Sequence, residues 1–247
     1  MALRVDLNAD MGEGIGNDAA LLSIVTSANV ACGFHAGSLI TMRDTMAEAL
    51  RSGVGLGAHP GFDDKANFGR TRMRLSAEEL GALTAYQLGA AIGVAKSLGG
   101  RVRHLKLHGA LANMASEEPE IARACYEAAL KVQPDIVLMV IAATAQEAVA
   151  RELGVDWAGE IFADRAYNDD ATLVDRAKEG AVLHDPELIT ERILRMLEKG
   201  AIISQSGKRI PCKIDTICLH GDTKEAVEIA ASLRVGLTAQ GISLARL

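Results

Sequence analysis

Seven short apolar runs recur along this chain, each separated from the next by a longer stretch with room for a crossover, and this alternation restricts its fold more than any other feature. The runs are Arg4–Asn8, Ala28–Cys32, Gly55–His59, Val102–Leu107, Ile136–Ile141, Glu160–Ala163 and Ile214–Leu219. Apolar spacing of helical period predicts helices over Leu39–Arg51, Ser76–Leu98, Glu117–Val132, Thr144–Leu153, Pro186–Glu198 and Lys224–Leu233. Ser76 followed by Glu79 reads as a capping box. Asp185, Pro186 and Gly200 mark the two ends of another helix. Strands joined by crossover helices run parallel. With 247 residues and no break in composition, the expectation is α/β: one seven-stranded (β/α) barrel over residues 1–247, with an open doubly wound sheet as the alternative. The irregular, Asp-rich stretch from Arg165 to His184 is expected to be a loop over the strand ends.

Side chains alternate faces along a strand. Val5 and Leu7 then face helices, leaving Asp6, Asn8 and Asp10 on the opposite side. Leu105 and Leu107 leave Val102, His104, Lys106 and His108 together, and Ile217 and Leu219 oppose Thr216, Cys218 and His220. In a barrel that shared polar face is the interior. Lys and Asp are almost never fully buried unless paired, so Lys106 needs a carboxylate such as Asp6 or Asp10, or an anionic substrate. Parallel α/β enzymes place their sites at the carboxyl ends of the strands, where these residues fall.

His35, His59, His108 and His220 each end such a run close to a glycine, in NVACGFHAG, GVGLGAHPG, VRHLKLHGA and TICLHGD. A histidine there serves a structural hydrogen bond as readily as chemistry, but four in like positions favour one site assembled by several loops. His35 and His59 could ligate a zinc-like ion with Asp6 or Asp10. No HxxxH or HExxH motif supports this, so the metal is left open. Carboxylates cluster similarly: Asp6, Asp10 and Glu13 in DLNADMGEG, Glu160 and Asp164 in GEIFADRAY. The glycines after Asp10 miss the dinucleotide fingerprint by one position, and Ser206-Gly207-Lys208-Arg209 is not a P-loop. Asp63, Asp64 and Arg70 belong to a loop that either binds substrate or is solvated.

The net charge of −6, without a long Lys/Arg run, argues against nucleic acid as partner. No apolar run is long enough to span a membrane, and MALRVDLNAD lacks a signal-peptide apolar region. Four cysteines without metal-type spacing suit reduced thiols in a cytoplasmic protein.

The segments DLNADMGEG, NVACGFHAG, GAHPGF with FGR at 68–70, KLHGAL, EIFADRAY and CLHGD, in this order, resemble the LamB/YcsF family. The resemblance spans Asp6 to Asp222 and implies a barrel of the glycoside hydrolase/deacetylase kind. It departs from the family pattern at Ser38, Leu107, Ala112, Thr71 and Asp175. It implies ATP-dependent 5-oxoprolinase chemistry, opening 5-oxo-L-proline to L-glutamate with release of ADP and phosphate. It also implies ATP with Mg as cofactor and partner subunits B and C. For that reaction the catalytic candidates are Asp6 or Asp10 as base, Lys106 as charge stabiliser and His108 as proton carrier. Asn8, Glu13, His35, His59, Arg70, Glu160, Asp164, Arg165 and His220 are candidates for holding substrate or ATP. A metal-dependent deacetylase or amidase acting alone, built on Asp10, His35 and His59, is the alternative. A non-catalytic binding subunit is the third reading.

Overall fold

The computed structural model describes residues 3–221 and 225–247. Its first half supplies β1 (Arg4–Met11), α1 (Asp18–Leu22), β2 (Ser27–Ala31), α2 (Leu39–Arg51), β3 (Gly55–His59), α3 (Ala77–Ser97), β4 (Val102–Lys106), α4 (Gly109–Glu117) and α5 (Pro119–Val132). The second half supplies β5 (Val137–Ile141), α6 (Ala145–Leu153), β6 (Trp157–Phe162), α7 (Pro186–Lys199), β7 (Ala201–Ile203), β8 (Arg209–Pro211), β9 (Thr216–Leu219), α8 (Ala226–Ala239) and β10 (Ser243–Leu244).

Strands β1 to β6 and β9 are parallel and hydrogen-bonded in sequence order, and β1 pairs with both β2 and β9. The sheet therefore closes into a seven-stranded barrel, as expected, and the open-sheet alternative is excluded. β10 adds a short parallel pairing at the start of β1, and β7 with β8 forms an antiparallel hairpin outside the barrel.

The expected strand faces are observed. Val5, Leu7, Ala9 and Met11 belong to the apolar core, along with Met42 and Met46 of α2 and Leu88 and Ala91 of α3. Small side chains let the outer layer pack closely: Gly81 of α3 lies where a Cβ would meet Ala128 of α5 at 3.6 Å. Ser76 and Glu79 form the expected capping box on α3, and Asp185 accepts from the Glu187 and Leu188 amides at the start of α7. Satisfying helix-terminal amides in this way stabilises a helix by about 1 kcal/mol per cap.

Some expectations need correction. The helix expected over Glu117–Val132 is α5, which begins at Pro119 because proline starts a helix readily and continues one poorly; α4, over Gly109–Glu117 just before it, was not expected. Helix α1 and the β7–β8 hairpin were not expected; elements of three to five residues carry too little periodicity to read. The last helix, expected from Lys224, runs Ala226–Ala239. Lys224 itself, like Asp222 at the end of the CLHGD segment, lies outside the described residues. Cys32, Cys125, Cys212 and Cys218 are free thiols, and no helix among the described residues is long and apolar enough to cross a membrane.

Candidate active site

The barrel interior is polar and layered. In the lowest layer the Asp6 carboxylate accepts from the hydroxyls of Thr26 and Ser27, both at 2.7 Å, and of Thr216 at 2.6 Å. Burial pushes its pKa up against the pull of these hydroxyls. Above it, Asn8 donates to Thr216 Oγ1 (2.7 Å) and Glu160 Oε1 (3.1 Å), and Asn29 donates to Asn8 Oδ1 (2.7 Å) and Asp10 Oδ1 (2.9 Å). His104 Nε2 lies 2.8 Å from Asn29 Oδ1, and its pKa is pushed down to about 3 by burial and then by Lys106. This ring occupies the space facing Gly57, where any Cβ would fall 2.0 Å from Nε2.

In the upper layer Lys106 Nζ donates to Asp10 Oδ1 at 2.9 Å and lies 3.1 Å from Glu160 Oε1 and 2.8 Å from Cys218 Sγ. All three strand partners are buried. Burial alone would pull the ammonium down, but its partners, Asp10 above all and then Cys218 and Glu160, hold it well above the ordinary lysine range. Burial likewise pushes Asp10 up, yet His59 and Lys106 outweigh it and hold the carboxyl well below its usual range. Glu160, deeper, is raised by burial, which Lys106 offsets only in part. Two carboxylates and one ammonium thus share a buried site in different environments.

Beside Lys106 stand three imidazoles. His59 Nδ1 lies 2.8 Å from the Lys106 carbonyl oxygen, and His59 Nε2 lies 2.9 Å from His108 Nδ1 and 3.3 Å from Asp10 Oδ2. His108 Nε2 lies 2.9 Å from the Phe68 carbonyl oxygen. His35 stacks on His108 with ring centres 3.7 Å apart, and its Nε2 is 3.4 Å from Glu13 Oε1. Burial first, and neighbouring histidines second, push both His35 and His108 well below the ordinary histidine pKa. The four residues Glu13, His35, His59 and His108 offer ligand atoms that all lie within 4.8 Å of one another. Phe68 and Gly69, both in left-handed backbone, fold over these rings, and a Cβ on Gly69 would fall 2.6 Å from that of His35.

A cavity of about 500 Å³ opens above this floor. Asp10, Glu13, His59, Arg70, Lys106, His108, Arg165 and His220 line it, together with Arg72 and Arg176. His220 Nδ1 sits on the Asp164 carboxylate at 2.9 Å, and His220 holds Asp164 below its ordinary pKa despite burial. The irregular loop 165–184 forms one wall of the cavity, as its composition leads one to expect. Arg165 donates to the Val174 carbonyl at 2.7 Å, so much of its guanidinium is used to shape that loop; burial and then Arg176 lower its pKa to about 10. The loop is tied at its far side, where Asp169 accepts from Ser204 (2.6 Å) and Ser206 (2.7 Å) of the β7–β8 turn.

Most of the expected residues therefore converge, at different depths. Asp6, Asn8 and Glu160 lie beneath the cavity floor, and His35 and Asp164 stand behind residues that line it. Asp6 is enclosed by hydroxyls and does not meet Lys106. Asp63 is exposed, and Asp64 holds its own loop through Asn67 and Thr71. Asn29 and Arg192 join the network without having been expected there. Arg192 donates to the carbonyls of Ala163 and Arg165, fixing the end of β6. The sequence signal for Asn29 is its alternation with Ser27, the same parity that reveals Asp10.

A model of the LamB/YcsF family matches residues 5–247 of this chain. A protein of Ruegeria pomeroyi, named as the A subunit of 5-oxoprolinase, is 58% identical over 246 residues, covering 98% of this chain and 97% of that one. The crystal structure of the lactam utilization protein from Thermus thermophilus superposes with a TM-score of 0.91 at 37% identity, covering 99% of this chain and 100% of that one. A peptidoglycan deacetylase from Bacillus subtilis, PdaC, shares the barrel alone: TM-score 0.53 at 12% identity, over 100% of this chain and 88% of that one.

Proposed function

The chain belongs to the LamB/YcsF family, and from that premise we propose that it acts as the A subunit of an ATP-dependent 5-oxoprolinase. In this reading it works with partner subunits B and C to convert 5-oxo-L-proline to L-glutamate while ATP becomes ADP and phosphate. The near full-length match to a protein of that name supports the substrate class. Within the molecule, the observation that carries the reading is the buried pair Lys106–Asp10 on the floor of a cavity walled by arginines, with Glu160 against the same ammonium just beneath.

A five-membered lactam is unstrained and resonance-stabilised, so its opening needs activation. Transfer of the γ-phosphoryl group to the lactam oxygen, with release of ADP, makes the ring carbon electrophilic. Water adds there, the C–N bond breaks and the nitrogen takes up a proton, leaving an acyl phosphate. A second water converts this to the carboxylate and phosphate. Asp10, ionised at neutral pH, orients the attacking water, and the Lys106 ammonium offsets negative charge as it develops on oxygen. Arg70 and Arg176 on the rim hold phosphate or the substrate carboxylate, with Arg165 shaping the wall behind them. Asp6 takes no part, because its carboxylate is sealed in the layer below.

The test is a reconstituted assay of 5-oxoproline-dependent ATP hydrolysis with the cognate B and C subunits. Stimulation by 5-oxoproline is expected, and its absence would remove the substrate assignment. The alternative, a deacetylase or amidase acting alone, predicts amide hydrolysis by the isolated chain without ATP.

A further inference from the structure

His59 and His108 present their ring nitrogens in an arrangement that the described protein groups alone do not satisfy. A carbonyl oxygen only accepts, so the nitrogen facing it carries the proton. That rule puts the proton of His59 on Nδ1, against the Lys106 carbonyl, and the proton of His108 on Nε2, against the Phe68 carbonyl. A neutral imidazole has one proton. The remaining nitrogens, His59 Nε2 and His108 Nδ1, are then both bare, yet they face each other at 2.9 Å. Asp10 Oδ2, another lone-pair donor, is 3.3 Å from the first of them. Something positive belongs between these atoms.

A proton on His59 Nε2 would answer part of this, since it could be given to His108 or Asp10. It would leave His35 unexplained. That ring is fully buried, and neither of its nitrogens has a hydrogen-bond partner among the described residues. Leaving a buried polar atom unmatched costs about 1–3 kcal/mol. Yet His35 is pressed into place, stacked on His108 and roofed by Gly61 and Gly69, positions where a Cβ would fall within 3 Å of it.

We propose that His35, His59 and His108, with Glu13, form a binding site for one divalent transition-metal ion at the mouth of the barrel. The donor set, three imidazoles and a carboxylate, suits zinc or manganese rather than magnesium or calcium. The backbone carbonyls behind His59 and His108 are the outer partners that fix metal-binding tautomers. When bound, such an ion acts as a Lewis acid on a carbonyl or a water. In this assignment His108 is a ligand rather than a proton carrier, and His35 and His59 hold the ion rather than substrate or ATP. It rests on ring geometry and holds whichever amide the protein cleaves.

The test uses the full chain, dialysed against a chelator and then titrated with Zn²⁺ or Mn²⁺ by calorimetry, with long-range ¹H–¹⁵N spectra of the histidine rings recorded during the zinc titration. One equivalent of ion is expected, together with large shifts of the ring nitrogens of His35, His59 and His108. His35→Phe keeps the ring stack and removes the ligand atoms; Glu13→Gln removes a charge with little change of shape. Each should weaken binding by roughly tenfold or more while melting no lower than the parent in chelator. Absence of saturable binding would overturn the proposal. So would binding that leaves the histidine rings unshifted, or that persists unchanged in both variants. These readouts are independent of lactam turnover, so failure of the metal site and failure of the substrate assignment are separable.

Discussion

Lys106 and Asp10 meet across the barrel, from β4 to β1, with 2.9 Å between ammonium and carboxylate and almost no exposure on either side. Glu160 lies 3.1 Å from the same ammonium, so one cation faces two carboxylates. Removing the cation leaves both without their counter-charge in a buried site. Lys106→Met is therefore expected to abolish 5-oxoproline-dependent ATP hydrolysis and to lower stability by about 3–5 kcal/mol, the usual consequence of breaking a buried pair. Adding Glu160→Gln should restore part of the stability and none of the activity. Urea melts and the reconstituted assay read the two effects, and near-parental turnover in either variant would rule out a role for Lys106 in the chemistry.

Gly69 and Gly53 share left-handed backbone but differ in surroundings. At Gly53 nothing lies within 4 Å of an added Cβ, whereas at Gly69 the Cβ would be 2.6 Å from that of His35. Gly53→Ala is expected to cost about 1–2 kcal/mol for the backbone alone. Gly69→Ala should cost roughly 1–3 kcal/mol more, the usual range for overpacking, and disturb the His35–His108 stack. Equal melting temperatures for the two variants would show that the loop does not press on the histidines.

Asp169 ties the loop 165–184 to the β7–β8 turn, and the hydroxyls of Ser204 and Ser206 hold its pKa below the ordinary aspartate value. A depressed pKa means that the tie is present above the unfolded-state pKa and is lost as pH falls through the lower, folded value. Asp169→Ala should speed amide exchange in the loop, raise KM and leave the barrel protected at neutral pH. The parent protein should show the same loop exchange, corrected for intrinsic rates, only in acid. Uniform protection of this loop in the variant would contradict the role given to Asp169.

Burial pushes the thiols of Cys32 up to about 12 and of Cys125 and Cys212 to about 11, and carries that of Cys218 well above its usual value despite the nearby ammonium. Thiolates are the reactive form. Brief treatment of the native protein with iodoacetamide at neutral pH should leave all four unmodified by mass spectrometry, and denaturation should expose all four. Rapid native labelling of Cys218 would mean that the reagent passes beneath the cavity floor.

The barrel was legible in the sequence because period two in the strands and longer crossovers between them permit few other topologies. Parity also placed Asp10, Lys106 and Cys218 on one interior face. What parity cannot supply is depth. Asp6 and Asp10 share a face, but four residues of strand separate them by about 13 Å, which is why one is sealed below while the other meets Lys106. His35 lies beyond the end of β2, where no strand period applies, and only the folded loop at Phe68 and Gly69 brings it against His108. The three-residue strands of the β7–β8 hairpin were invisible for want of length.

The stack of hydrogen bonds from Asp6 through Thr216, Asn8 and Asn29 to Asp10 has a consequence for how such a protein can diverge. In an oily interior, one side chain can be exchanged for another of like volume with little consultation of its neighbours. Here each interior group answers to a donor or acceptor on another strand, so a single exchange strands a buried polar atom. Sequences descending from this one should change their barrel interiors in matched sets drawn from separate strands, while the helical exterior drifts one residue at a time.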